Sequence, residues 1–166
     1  MTGHELSLQR FEERHYIKAL GAAALLLSAV LAHAAATIYP DVSRAAADID
    51  AALKDAAQTK RRVLVEFGGN WCGDCIVLDR HFQAADNADL LRKHYVLVHV
   101  NVGDKGISHN FDIAKRYGIP LEKGVPALAV IEADGRLVFS QKQGEFESMR
   151  KMDPSSVGDF LRKWAK

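Results

Sequence analysis

Val63-Leu64-Val65-Glu66-Phe67-Gly68-Gly69-Asn70-Trp71-Cys72-Gly73-Asp74-Cys75-Ile76-Val77-Leu78 begins as a valine-rich apolar run, breaks at two glycines and an asparagine, and resumes after two cysteines. Val63–Phe67 has the length and β-branched content of a buried strand. Gly68, Gly69 and Asn70 end it. Ile76, Val77, Leu78 and Phe82 then recur with the spacing of one helix face. Cys72 and Cys75 therefore sit where a strand hands over to the first turn of a helix. Free backbone N–H groups and the positive end of the helix dipole stabilise a thiolate there, so the first thiol is expected to be nucleophilic at neutral pH. Three residues on, the second thiol can close a disulfide with the first or resolve a mixed disulfide.

The whole chain sets bounds on that chemistry. Its 166 residues are enough for one domain with a sizeable core. Charge is almost balanced, 22 Lys+Arg against 21 Asp+Glu, and no basic stripe argues for nucleic acid. The only two cysteines are Cys72 and Cys75, which excludes a structural disulfide framework and a four-cysteine zinc site.

The N-terminus reads as a targeting segment. Arg10, Arg14 and Lys18 precede an apolar run from Ala19 to Leu31, and Ala32-His33-Ala34 offers the small-residue exit of a signal peptidase site. The expected division is a signal peptide over residues 1–34 and a domain over 35–166. An uncleaved anchor is the alternative, since residues 19–36 could just span a bilayer. Either sends the domain outside the cytoplasm, periplasmic or secreted, with membrane contact only if the segment stays attached.

In the domain, Asp41 is expected to cap a helix with Ala45, Ile49, Ala52, Leu53 and Ala56 on its inner face, ending near Thr59. After the cysteine helix, Asp86 or Asn87 is expected to cap a short helix, Ala88–His94. Tyr95–Val102 is apolar at nearly every position, as expected of a central strand covered on both faces. Asn110–Tyr117 reads as a helix with Phe111, Ile113, Ala114 and Tyr117 inward and Gly118 as its left-handed stop. Val125–Ile131 is a third strand, and the Asp134-Gly135 turn leads into Leu137–Ser140. Phe146–Met152 reads as loop filler. Asp153-Pro154 starts the last helix, whose inner face is Val157, Phe160, Leu161 and Trp164. The class is α/β: a mixed central β-sheet with helices on both faces.

From about Val42 to Trp164 this pattern resembles the thioredoxin superfamily. The resemblance rests on Trp71-Cys72-Gly73-Asp74-Cys75 at a strand-to-helix junction and on Val125-Pro126 opening a later strand before a hairpin. It implies a thioredoxin fold, with Cys72 as the attacking thiol and Cys75 as the buried resolving thiol. Pro126 would be a cis-proline facing the cysteine pair, and the Val125 backbone would pair with an extended substrate. A proline lacks the N–H a strand interior needs, so a strand-entry position suits it. Trp71 would form a lid, and Gly144 would let substrate approach after the hairpin. Glu66 stands where many thioredoxins carry a buried aspartate that accepts the proton of the second cysteine. The lysine common near that acid corresponds to about His99 here.

Gly73 and Asp74 are the tuning positions. Thioredoxins usually have proline where Asp74 stands, and a carboxylate there repels a nearby thiolate and favours reducing behaviour. His81, His94, His99 and His109 read as ordinary surface or edge residues. The function expected is thiol–disulfide exchange on protein disulfides outside the cytoplasm, in the reducing direction, with an upstream thiol–disulfide donor or acceptor as second partner. Both reacting groups belong to the chain, so no cofactor is required. The alternative is a soft-metal module in which the same cysteines hold Cu(I), weakened by the lack of a histidine beside them.

Overall fold

Arg62–Gly68, strand β1, lies at the heart of the computed structural model, which describes residues 37–166. It is buried from Val63 to Gly68. The segment expected to be signal or anchor, and the boundary at residue 34, lie outside the described residues. Among the described residues no helix is long and apolar enough to cross a membrane.

In chain order the other elements are α1 (Ala45–Thr59), α2 (Gly73–Gln83), α3 (Ala85–His94), β2 (Tyr95–Asn101), α4 (Phe111–Arg116), β3 (Ala127–Ile131), β4 (Leu137–Ser140) and α5 (Ser155–Lys163). The sheet order is β2-β1-β3-β4. β1 runs parallel to β2 and antiparallel to β3, and β4 closes the hairpin with β3. The sheet is mixed, as expected.

Strand alternation divides the core into two layers. Val63, Val65 and Phe67 pack with Ile49, Ala52 and Ala56 of α1 and with Ile113 and Ala114 of α4. Leu64, Leu128 and Val130 pack with Leu78 and Phe82 of α2, Leu91 of α3, and Val157, Phe160 and Leu161 of α5. Helices thus cover both faces of the sheet.

Four local expectations need correction. β2 is an edge strand, not a central one. Its apolar residues are covered by helices above and below, and burial of both faces says nothing about whether a strand has a neighbour on each side. α3 begins at Ala85 with no side-chain cap; the Asn87 amide instead donates to the carbonyl of His81, tying α3 to the end of α2. Phe111 is exposed, because α4 is only six residues long and Ile113 and Ala114 carry its buried face. Phe146–Met152 is not filler: Phe146 and Met149 are buried in the α5 layer, and Met149–Lys151 forms a 3-10 turn.

Other local signals held. Asp41 accepts from the Ser43 N–H at the start of the turn leading into α1. Gly118 has φ +67°, a left-handed conformation that glycine adopts without Cβ strain. Asp153 accepts from Ser155 N–H as α5 begins.

Candidate active site

Cys72 is the N-cap of α2, and its extended backbone (φ −87°, ψ 108°) turns the chain out of the β1 loop into the helix. The Cys75 N–H points at the Cys72 sulfur at 3.2 Å. That is one of the first-turn donors a helix cannot satisfy internally, so it is available to a thiolate at that position. The cysteines are joined in a disulfide. Cys72 retains 6% exposure and Cys75 none.

The opposing wall is the Val125-Pro126 peptide, which is cis as the resemblance implied. The Cys72 sulfur lies 3.6 Å from the Val125 carbonyl oxygen. Gln141, 1% exposed, holds this strand entry from behind. Its amide donates to the Pro126 carbonyl at 3.2 Å and accepts from the Leu128 N–H at 3.2 Å. Polar residues after a hairpin are common, so nothing in the sequence marks this one.

Trp71 remains 39% exposed, with its indole N–H donating to the Gly103 carbonyl at 2.6 Å. That bond ties the indole to the Gly103 loop while leaving much of the residue to solvent. Gly73 lies beside Arg150, whose guanidinium carbon would be 3.7 Å from a Cβ there. Gly144 has φ +72°, and a Cβ on it would meet the Lys123 carbonyl at 2.8 Å. Its need for glycine is therefore met inside the chain, where it lets the 144 loop close on the turn that precedes Val125.

Asp74 is not the lone carboxylate the sequence suggested. Arg150 donates to it through the backbone N–H at 2.9 Å and through the guanidinium at 3.1 and 2.8 Å. These hydrogen bonds hold the Asp74 carboxyl below the usual carboxylate range. Its charge is shared with a cation, so the repulsion expected at Cys72 is offset.

The acid lies on the strand that leads to the disulfide. Glu66 is 1% exposed on β1, on the face covered by α2. The parallel register sets it directly opposite His99 of β2. His99 Nδ1 is 2.6 Å from Glu66 Oε2, and its Nε2 is 3.8 Å from Asp79 on α2. The Tyr39 hydroxyl donates a short hydrogen bond to Glu66 Oε1. Tyr39 itself is held by Asn70, which accepts from its N–H at 3.1 Å and donates to its carbonyl at 3.0 Å. Burial and the neighbouring Glu66 push the Tyr39 hydroxyl far above the ordinary phenol range, so it remains a donor. For His99, burial disfavours the cation, but the hydrogen bond and charge of Glu66, with Asp79, outweigh it and raise the pKa.

Glu66 is thus buried, and His99, its hydrogen-bond partner, is not an ordinary edge histidine. Tyr39 was missed altogether. The sequence carries no periodic or motif signal for either contact. Among the described residues no group of three or more His, Cys, Asp or Glu forms a metal cage.

A sequence profile described as thioredoxin-like matches residues 44–133. The chain belongs to the thioredoxin-like family. This thioredoxin-like domain is similar to the solved disulphide isomerase of Xylella fastidiosa Temecula1, at 32% identity and TM-score 0.72 over 78% of this chain and 98% of the other. The oxidised C-terminal domain of Neisseria meningitidis DsbD also matches, at 17% identity and TM-score 0.46 over 76% and 95%. A search of curated proteins gives no match. The thioredoxin-like domain, its C-x-x-C disulfide and the first of these likenesses identify a thiol–disulfide oxidoreductase.

Proposed function

We propose that this domain reduces disulfides of proteins outside the cytoplasm by cycling Cys72 and Cys75 between dithiol and disulfide. The supporting observation is the placement of Cys72: 6% exposed where Cys75 is fully buried, facing the Cys75 N–H, and 3.6 Å from the Val125 carbonyl beside Pro126. A substrate strand laid along Val125 would bring its disulfide to that sulfur.

The Cys72 thiolate attacks one substrate sulfur and the other leaves as a thiolate. Cys75 then loses its proton and attacks the Cys72 sulfur, the second substrate thiolate leaves, and both electrons have passed to the substrate. A separate dithiol donor restores the reduced pair. Val125 and Pro126 form the substrate wall, Trp71 covers the mouth, and Gly144 acts on that wall through the Lys123 turn. Glu66 is the proton acceptor for Cys75. The extracytoplasmic placement is supported by the apolar segment over residues 19–31 and the Ala32-His33-Ala34 exit.

Insulin-disulfide reduction tests the mechanism. The Cys72→Ser variant is expected to be inactive and Cys75→Ser to accumulate a covalent substrate adduct. Activity retained in Cys72→Ser would overturn the mechanism. Equilibration with glutathione tests the direction, a couple more reducing than glutathione being the expected result. The mass of the exported protein tests cleavage after Ala34.

A further inference from the structure

Glu66 is enclosed between two side chains that reach it from different elements. Tyr39 precedes the first helix, and His99 lies on the sheet edge. Both Glu66 oxygens are occupied, Oε1 by the Tyr39 hydroxyl and Oε2 by His99 Nδ1. With Nδ1 at Glu66, the other ring nitrogen, Nε2, faces Asp79 at 3.8 Å. The two rings also meet edge to face, 5.3 Å between centroids.

The other end of this chain reaches the cysteines. At Gly68, two residues after Glu66, a Cβ would stand 2.3 Å from the Tyr39 hydroxyl and 2.8 Å from the Cys75 sulfur. The Tyr39 oxygen and the Cys75 sulfur therefore both border the point that a side chain at Gly68 would fill. On Glu66 the oxygen Oε1 is already taken by the Tyr39 hydroxyl.

We propose that Cys75 does not deliver its proton to Glu66 directly but through the Tyr39 hydroxyl, and that His99 carries charge from Glu66 out to the sheet edge, so that Tyr39, Glu66 and His99 form a proton path from the resolving thiol towards Asp79. The proposal rests on the thiol–disulfide reading above. When the mixed disulfide resolves, the Cys75 S–H proton passes to the Tyr39 oxygen while the Tyr39 proton passes to Glu66 Oε1. The transfer to Tyr39 is direct or spans one bridging water. The sulfur keeps its electron pair and uses it to bond to Cys72, from which the substrate thiolate departs. Neutral Glu66 no longer balances the His99 cation, which loses its Nε2 proton towards Asp79 and solvent. His99 is 19% exposed, enough to exchange that proton.

The groups facing this path are few. Asp79 comes from α2. Asp48 and Asp55 of α1 line the groove that opens at His99, and both are ion-paired, with Arg44 at 2.6 Å and Arg61 at 2.9 Å. No cation among the described ion pairs competes for Glu66, so His99 is its counter-charge. His99 is a positioning residue, acting through Glu66, whereas Tyr39 handles the proton of the reacting Cys75 thiol.

The test is single-turnover oxidation of the reduced protein by glutathione disulfide, with the Cys72–glutathione adduct followed by quenched mass measurement. Tyr39→Phe keeps the ring and removes only the hydroxyl. It is expected to form the adduct within about twofold of the wild-type rate but to resolve it at least about 100-fold more slowly, the low end for loss of a group that transfers the proton. His99→Gln keeps a donor to Glu66 and removes the titratable proton. It is expected to abolish the inflection that adduct resolution shows above about pH 6.5 in the wild type. Wild-type resolution rates in folded Tyr39→Phe would overturn the proposal. If Tyr39→Phe does not fold, an unchanged pH profile in His99→Gln overturns it instead. Absence of any Cys72 adduct in Cys75→Ser, which cannot resolve it, would remove the functional reading and this path with it, an outcome distinct from an adduct that forms there and resolves normally in the wild type and in Tyr39→Phe.

Discussion

Asp74, in the first turn of the cysteine helix, is held by Arg150, 76 residues further along the chain, through one backbone and two guanidinium hydrogen bonds. The pair joins the helix that carries the thiols to the turn that precedes α5. Arg150→Ala should release the full Asp74 charge and raise the Cys72 pKa, and Asp74→Asn should lower it. Each shift should be up to about half a unit, as expected for a solvent-screened pair. Alkylation rate against pH measures both. Identical profiles in the two variants would show that Asp74 does not act on the sulfur.

Glu66→Gln preserves the size of the buried side chain but removes its ability to accept a proton. Insulin reduction should fall by about 100-fold, the low end for loss of a general base. Alkylation of Cys72 should stay near the wild-type rate, because Glu66 serves the second thiol. A parallel loss in both assays would mean that the substitution disturbs the whole site.

His99 gives the fold a specific pH dependence. Its folded-state pKa is raised above the ordinary 6.5 by Glu66 and Asp79 against the opposing effect of burial. Its contribution to stability is therefore fully present below about pH 6.5 and is lost as pH rises through the folded value. The difference in unfolding free energy between wild type and His99→Gln should be largest in mild acid and shrink towards alkaline pH. Denaturant titrations at several pH values check this, and a gap that widens with pH contradicts it.

Gly68→Ala tests the crowding beneath the disulfide. Its Cβ would fall 2.3 Å from the Tyr39 oxygen and 2.8 Å from the Cys75 sulfur, closer than atoms can sit. Neither neighbour is free to retreat, since Tyr39 is tied to Asn70 and Glu66 and Cys75 to Cys72. A loss of about 1–3 kcal/mol is expected from overpacking. An unchanged denaturation midpoint would show that Tyr39 can move aside.

Local chemistry made much of the site readable. The cysteine pair at a strand-to-helix junction, the left-handed Gly118, the Asp134-Gly135 hairpin and the cap at Asp153 each follow from neighbours a few residues apart. The misreadings have a common source. Tyr95–Val102 is apolar enough for a central strand, yet it forms an edge. Phe111 has the right spacing to point inward, yet it lies on the outer side of a six-residue helix. Phe146–Met152 has no regular period, yet it buries Phe146 and Met149. Pattern reports how much apolar surface a segment offers, not which element arrives to cover it.

By itself, then, the chain specified the elements, the α/β class and the two thiols, because periodicity, turn residues and helix-end electrostatics act over one or two turns. The surroundings of the thiols were decided in three dimensions. Register alone brings His99 of β2 opposite Glu66 of β1. Only the folded entry segment lays Tyr39 over the acid, and only the turn at Arg150 meets Asp74. Val63–Leu78 carries the reacting sulfurs within its own sequence. The partners of its Glu66 and Asp74 come from 27 to 76 residues away, where no local rule of sequence reaches.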